Sequence, residues 1–209
     1  NVSYEYEGNK LKKYNDSKGD YITYYYNAQG QRIRKYMFLN ETYMINVYYK
    51  YSLNKLITEI RDNYRLDFLY DEKDMLYGFI YNNSSKYFYI RDVTGLILGI
   101  TSQSGEVVVK YDYDVWGKKI SITDTSEIDL GTKNPFRYKG YYYDEETSMY
   151  YLLSRYYVPE WGRFLTPDDV RYLEPKSING MNLYCYCANN PIMYIDPSGH
   201  LIINVVLLL

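Results

Sequence analysis

Tyr111-Asp112-Tyr113-Asp114-Val115-Trp116-Gly117 is the stretch on which the fold turns. Its rings at positions 111 and 113 are two residues apart, so on a strand they share a face. Asp114 then begins a four-residue turn. A first-position Asp accepts hydrogen bonds from backbone N–H groups ahead of it, and Gly in fourth place leaves the turn without strain. The same turn form recurs at Asp16-Ser17-Lys18-Gly19, Asn27-Ala28-Gln29-Gly30, Asp92-Val93-Thr94-Gly95 and Ser102-Gln103-Ser104-Gly105. Asp71-Glu72-Lys73-Asp74 departs from it by carrying Asp in fourth place, a residue that tolerates the left-handed region better than most.

The Tyr-x-Tyr unit itself starts at residues 4, 24, 49, 68 (as Phe68-Leu69-Tyr70), 87 and 111, in steps of 20, 25, 19, 19 and 24. The period is irregular but persists through about the first 120 residues of the repeat region. Turns spaced along β-formers indicate a meander of antiparallel hairpins. Composition agrees: the chain has 32 tyrosines against 6 phenylalanines and 2 tryptophans. Tyrosine favours strands, packing its ring on a half-buried face while the hydroxyl reaches a polar partner. The expected fold is all-β, an antiparallel hairpin meander in a curved sheet through about residue 125 that continues into a compact segment. Helix is expected to be scarce, with one short turn over Pro167–Tyr172.

Several function classes find no support. The net charge is -2, with acidic and basic residues interspersed, so nothing points to nucleic acid. The single histidine, His200, excludes a multi-histidine metal site. No phosphate-binding glycine loop or nucleophile elbow is present, and no cofactor is expected. Cys185 and Cys187, two apart, are read as small buried side chains on a strand rather than as a disulfide. The apolar run Leu201–Leu209 is shorter than the roughly 20 residues that span a bilayer. It reads as a last buried strand or as the start of a longer segment, and any membrane contact would come through it alone.

After residue 134 the residues become more telling. Asn134-Pro135-Phe136-Arg137-Tyr138-Lys139-Gly140-Tyr141-Tyr142-Tyr143-Asp144 is followed by Tyr150-Tyr151-Leu152-Leu153-Ser154-Arg155-Tyr156-Tyr157. Then come Gly162-Arg163-Phe164-Leu165, Asn182-Leu183-Tyr184, Asn189-Asn190-Pro191 and Asp196-Pro197-Ser198-Gly199. This ordered set resembles the core segment of RHS proteins, and the Tyr-x-Tyr-Asp-x-x-Gly units resemble the YD repeats of RHS and teneurin-type proteins. The resemblance implies YD repeats over 1–125, a core segment over 126–200 and an apolar tail over 201–209. It further implies a β-sheet shell that encloses a C-terminal toxin domain of the parent chain, in a protein that is secreted or held at the cell surface or wall.

Many members of that family cut themselves after Asp-Pro-x-Gly, using core aspartates in an aspartyl-protease-like arrangement. By this resemblance the candidate pair is Asp168 and Asp196, 28 residues apart, with Arg163 as a candidate electrostatic partner and Gly199, His200 and Leu201 as the cleavage region. Two carboxylates sharing a site can split their pKa values into a base and an acid. Such chemistry would be a single self-cleavage rather than turnover.

Departures from the family pattern bear on it. Thr147-Ser148-Met149 stands where Thr-Gly-Leu is common, and Val158 precedes Pro159 in place of Asp. The first Asp-Pro-x-Gly is degraded, with Asp169 and Arg171 at its Pro and Gly positions, and His200 replaces a common Leu. Ten residues follow Gly199, fewer than a toxin domain needs. The rival reading is a cell-wall carbohydrate-binding module, in which exposed aromatic faces stack on sugars. Such modules usually lean on tryptophan, and this chain has Trp116 and Trp161 alone.

Overall fold

Each Tyr-x-Tyr unit ends a strand, and each Asp-x-x-Gly unit reverses the chain. The computed structural model describes residues 2–173 and 180–208. Twelve strands follow one another in chain order in an antiparallel meander. They are β1 (Ser3–Glu7), β2 (Lys10–Asn15), β3 (Tyr21–Tyr26), β4 (Arg32–Leu39), β5 (Tyr43–Ser52), β6 (Lys55–Arg61), β7 (Tyr64–Tyr70), β8 (Leu76–Tyr81), β9 (Ser85–Arg91), β10 (Ile97–Ser102), β11 (Val107–Tyr113) and β12 (Lys119–Asp124). The chain forms two compact units, Asn1–Tyr87 and Phe88–Leu209.

The turns work as their composition dictates. In the unit 1 turn at residue 27, the Gly30 N–H donates to the Asn27 carbonyl at 2.9 Å. The Asn27 side-chain oxygen accepts the N–H groups of Gln29 and Gln31 at 3.1 and 2.9 Å. Asp71 does the same for Lys73 and Met75, both at 2.9 Å. The aberrant fourth residue, Asp74, takes the left-handed conformation at φ 63° where glycine stands elsewhere. In unit 2, Asp92 and Asp114 repeat the pattern.

The register shifts next to the second ring of these units: between Glu5 and Tyr6, Tyr25 and Tyr26, Lys50 and Tyr51, Leu69 and Tyr70, and Asp112 and Tyr113. Such bulges bend a strand and increase its twist. In four units the first ring is core: Tyr24, Tyr49, Phe68 and Tyr111 are all buried. The second ring reaches back with its hydroxyl: Tyr26 donates to the Leu11 carbonyl at 2.7 Å and Tyr70 to that of Leu56 at 2.9 Å.

Beyond β12, unit 2 holds one helical turn, α1 (Leu130–Lys133), and a second sheet of β13 (Tyr142–Asp144), β14 (Met149–Leu152), β15 (Arg155–Val158) and β16 (Arg163–Phe164). Every residue of β13, β14 and β15 is buried, so both faces of these strands are packed. Tyr138, Tyr141, Tyr143, Tyr150, Tyr157, Phe164 and Tyr186 form the cluster beside Leu152 and Cys187. Three of these phenols seat on one turn. Tyr138, Tyr157 and Tyr150 donate to the successive carbonyls of Val115, Trp116 and Gly117 at 2.7, 2.7 and 2.8 Å. Gly117 leaves room for this, since a Cβ there would stand 2.5 Å from the Tyr138 ring.

Two local expectations need correcting. Both cysteines are free, but Cys187 opens a short helical turn rather than lying on a strand. Cys187, Ala188 and Asn189 run at φ 49°, 51° and 60°, a left-handed stretch that no strand accommodates. The apolar tail is not a buried strand: it supplies β18 (Ile203–Asn204), paired with β17 (Tyr194–Ile195), then a helical turn over Val205–Leu208, and Leu201, Ile202 and Ile203 are exposed. The turn of helix near Tyr172 spans Val170–Tyr172 and is capped by Asp169, whose side chain accepts the Arg171 N–H at 2.9 Å.

Candidate functional site

Arg155 is the first residue of β15, and its guanidinium is buried. A charge taken out of water needs partners on several sides. Asp168 provides the nearest, its Oδ2 2.7 Å from Nη2. The Asp196 Oδ2 lies 3.8 Å from the same nitrogen. The Leu183 carbonyl accepts from Nη1 at 2.9 Å, and the guanidinium lies 3.6 Å from the centre of the Phe164 ring. The remaining donor, Nε, bonds to the Gly199 carbonyl. The two candidate aspartates, far apart in sequence, thus face one arginine.

The Asp-Pro-Ser-Gly loop is pinned at each end. The Asp196 N–H donates to the Tyr141 hydroxyl at 2.8 Å, and the Ser154 hydroxyl donates to the Ser198 carbonyl at 2.7 Å. The Asp196 Oδ1 accepts the His200 N–H at 3.0 Å. Gly199 sits at φ 75°, and a Cβ there would come within 2.8 Å of the Leu152 carbonyl. Only glycine meets both demands. The peptide group joining Gly199 to His200 is therefore gripped on both sides, carbonyl by Arg155 and N–H by Asp196. The His200 Nδ1 lies 2.6 Å from the Asp168 Oδ1, and the imidazole stacks on Tyr172 with ring centres 4.8 Å apart.

Burial pushes the Asp196 carboxyl up to about 6, against the opposing pull of Arg155. Burial outweighs the cation because the ion pair to Asp196 is the longer of the two that Arg155 makes. A carboxyl held near neutrality can pass a proton in either direction.

Arg163, the cation singled out in the sequence, is not at this centre. It lies on β16 opposite Val158, next to buried Phe164, so alternation turns it outward and leaves it exposed. Arg155 takes that place instead. A signal for it existed: an arginine between Leu152-Leu153-Ser154 and Tyr156-Tyr157, in a run otherwise built for the core, needs buried acceptors. Among the described residues no cluster of side chains suited to a metal is found, and no helix is long and apolar enough to cross a membrane.

The family model for the teneurin YD-shell matches residues 1–192. A tRNA3(Ser)-specific nuclease WapA from Bacillus spizizenii is 38% identical over 182 residues, 86% of this chain and 8% of that protein. The double-stranded DNA deaminase toxin A of Burkholderia cenocepacia is 35% identical over 109 residues, 52% of this chain and 7% of that protein. Among solved structures, the crystal structure of TcdB2-TccC3-TEV superposes with a TM-score of 0.75 at 19% identity, covering 95% of this chain and 10% of that one. This chain therefore spans a tenth or less of the length of each of these proteins. Tyrosine-rich hairpins in chain order, Asp-x-x-Gly turns and the family match over 1–192 place this chain in the teneurin YD-shell family of RHS/YD-repeat proteins.

Proposed function

We propose that the chain is part of a shell that encloses and presents a C-terminal effector, and that Asp168, Asp196 and Arg155 cut the Gly199–His200 bond to free that effector from its covalent tether. The observation that carries the cleavage reading is the double grip on that peptide group, by Arg155 at the carbonyl and Asp196 at the N–H. The enclosure reading draws on relatives named as a nuclease and a deaminase toxin, whose lengths extend far beyond the part this chain matches. It carries with it the division into repeats over 1–125 and a core segment over 126–200, and a secreted or surface location.

The chemistry is a hydrolysis. Water adds to the Gly199 carbonyl carbon and loses a proton to Asp168. Arg155 Nε holds the charge that develops on the Gly199 oxygen, the role in which a preorganised donor is most effective. Protonated Asp196 gives its proton to the His200 nitrogen as the C–N bond breaks. The products are a carboxyl at Gly199 and an amine at His200. His200 leaves with the product and withdraws its ring from Asp168, so the event runs once.

Intact mass tests this. The wild-type chain is expected to be short by residues 200–209, and Asp196→Asn to keep its full mass. A full-length wild type in the assembled parent protein, or equal cutting in Asp196→Asn, would remove the aspartate mechanism.

A further inference from the structure

We propose that the cleft between the β11–β12 turn and the β15–β16 turn binds a neutral oligosaccharide. The chain's two tryptophans, distant in sequence, both line it: Trp116 from the first turn and Trp161 from the second. Trp161 is 53% exposed. Tryptophan is highly buried on average, so a half-bare indole beside a second indole is an informative departure.

The floor of the cleft is held rigidly. The Trp116 N–H donates to the Asp114 carboxylate at 2.9 Å, and its carbonyl takes the Tyr157 hydroxyl. Its ring lies against Gly162, where a Cβ would come within 3.1 Å. Lys118 and Glu160, one from each turn, join at 2.7 Å and tie the two walls together. An aromatic surface fixed before binding costs little to order on binding.

The polar lining selects the class of ligand. Asp114 and Glu160 supply carboxylates, Lys118 and Arg163 supply cations, and Asn189 supplies an amide. Charges of the two signs balance. A polyanion would meet the carboxylates and a polycation would meet Lys118 and Arg163, each with a like-charge penalty. A neutral sugar offers hydroxyls that donate and accept, together with a C–H face that lies flat on an indole. The space is about 450 Å³, within the range of ligand sites, and it is open to solvent. An open site of this kind suits a ligand that lies partly in solvent rather than a small enclosed cofactor. The leading rings Tyr24, Tyr49, Phe68 and Tyr111 of the repeats are committed to the core. Arg163, absent from the aspartate centre, acquires a role here. The inference does not depend on self-cleavage.

The test is calorimetric titration of the 209-residue chain with N-acetylchitotriose, cellotriose and maltotriose, followed in parallel by tryptophan fluorescence. Saturable binding of one of these is expected, weakened about tenfold or more in Trp161→Ala and partly restored in Trp161→Phe. Trp161 is a surface residue, so circular dichroism should be unchanged, and Arg163→Gln provides a second variant on the same wall. Absence of binding to all three sugars overturns the proposal. So does wild-type affinity in both Trp161→Ala and Arg163→Gln, or capture of a proline-rich peptide in place of every sugar.

Discussion

Asp196 is the buried carboxylate beside Arg155. Its carboxyl is raised from 3.8 to about 6 by burial, so the folded state binds its proton more tightly than the unfolded state. A raised pKa contributes stability in full below about pH 4, and that contribution is lost as pH climbs through about 6. Asp196→Asn keeps the shape and the acceptor for the His200 N–H but cannot ionise. Urea unfolding in an Asp168→Asn background, which keeps the chain whole, should show Asp196→Asn gaining on its parent by about 2–3 kcal/mol between pH 4 and pH 8. A constant difference across that range would mean that the carboxyl titrates normally. Family resemblance alone names Asp168 and Asp196 in the sequence, and the fold brings both carboxylates to Arg155. For Arg155 the sequence signals only a charge set in a core-forming run; its partners could not be read, because Leu183, Phe164, Asp168 and Gly199 converge on its guanidinium only after the chain has folded.

At the scale of the hairpin, local chemistry governs and the sequence is easy to read. An Asp or Asn in first place captures two N–H groups within its own turn, which needs no tertiary information. The prediction that belongs here contrasts two turns of the same outline. Asp92 accepts the N–H groups of Thr94 and Leu96 at 2.8 and 3.0 Å, whereas the Ser102 hydroxyl pairs with the Ser104 hydroxyl at 2.7 Å. Asp92→Ala should therefore cost about 1–2 kcal/mol and Ser102→Ala less than about 0.5 kcal/mol in thermal or urea unfolding. Equal costs would show that the turn is set by its glycine alone. Where tertiary packing decides, the sequence was silent. The bulge beside each second ring follows from the hairpin's register and twist. The turn of α1 rests on the Tyr111 hydroxyl bonding to the Gly131 carbonyl at 2.9 Å. The left-handed run at Cys187–Asn189 lies in residues that carry no glycine to announce it.

Across the whole molecule, repeated hairpins and long-range packing divide the labour. The hairpin repeats are local, each pairing with its neighbours in chain order, and such arrays gain stability by adding units. The part beyond β12 is knit by contacts between distant residues, among them the three phenols on the Asp114–Gly117 turn. Those hydroxyls carry a consequence for the molecule in alkali. Burial holds the Tyr138, Tyr150 and Tyr157 protons far above their usual release point, and that of Tyr111 at about 12. The folded state keeps protons that the unfolded state gives up near pH 10, so stability drains away as base is added. Followed by phenolate absorbance, the titration should come in two stages: surface rings yielding gradually with the fold intact, then an abrupt rise coinciding with the loss of β-sheet dichroism. A single smooth curve would mean that water already reaches the buried phenols. With the two-stage rise, the protein carries its own optical gauge of integrity, a colour change in the near ultraviolet that reports the opening of its core without any added dye.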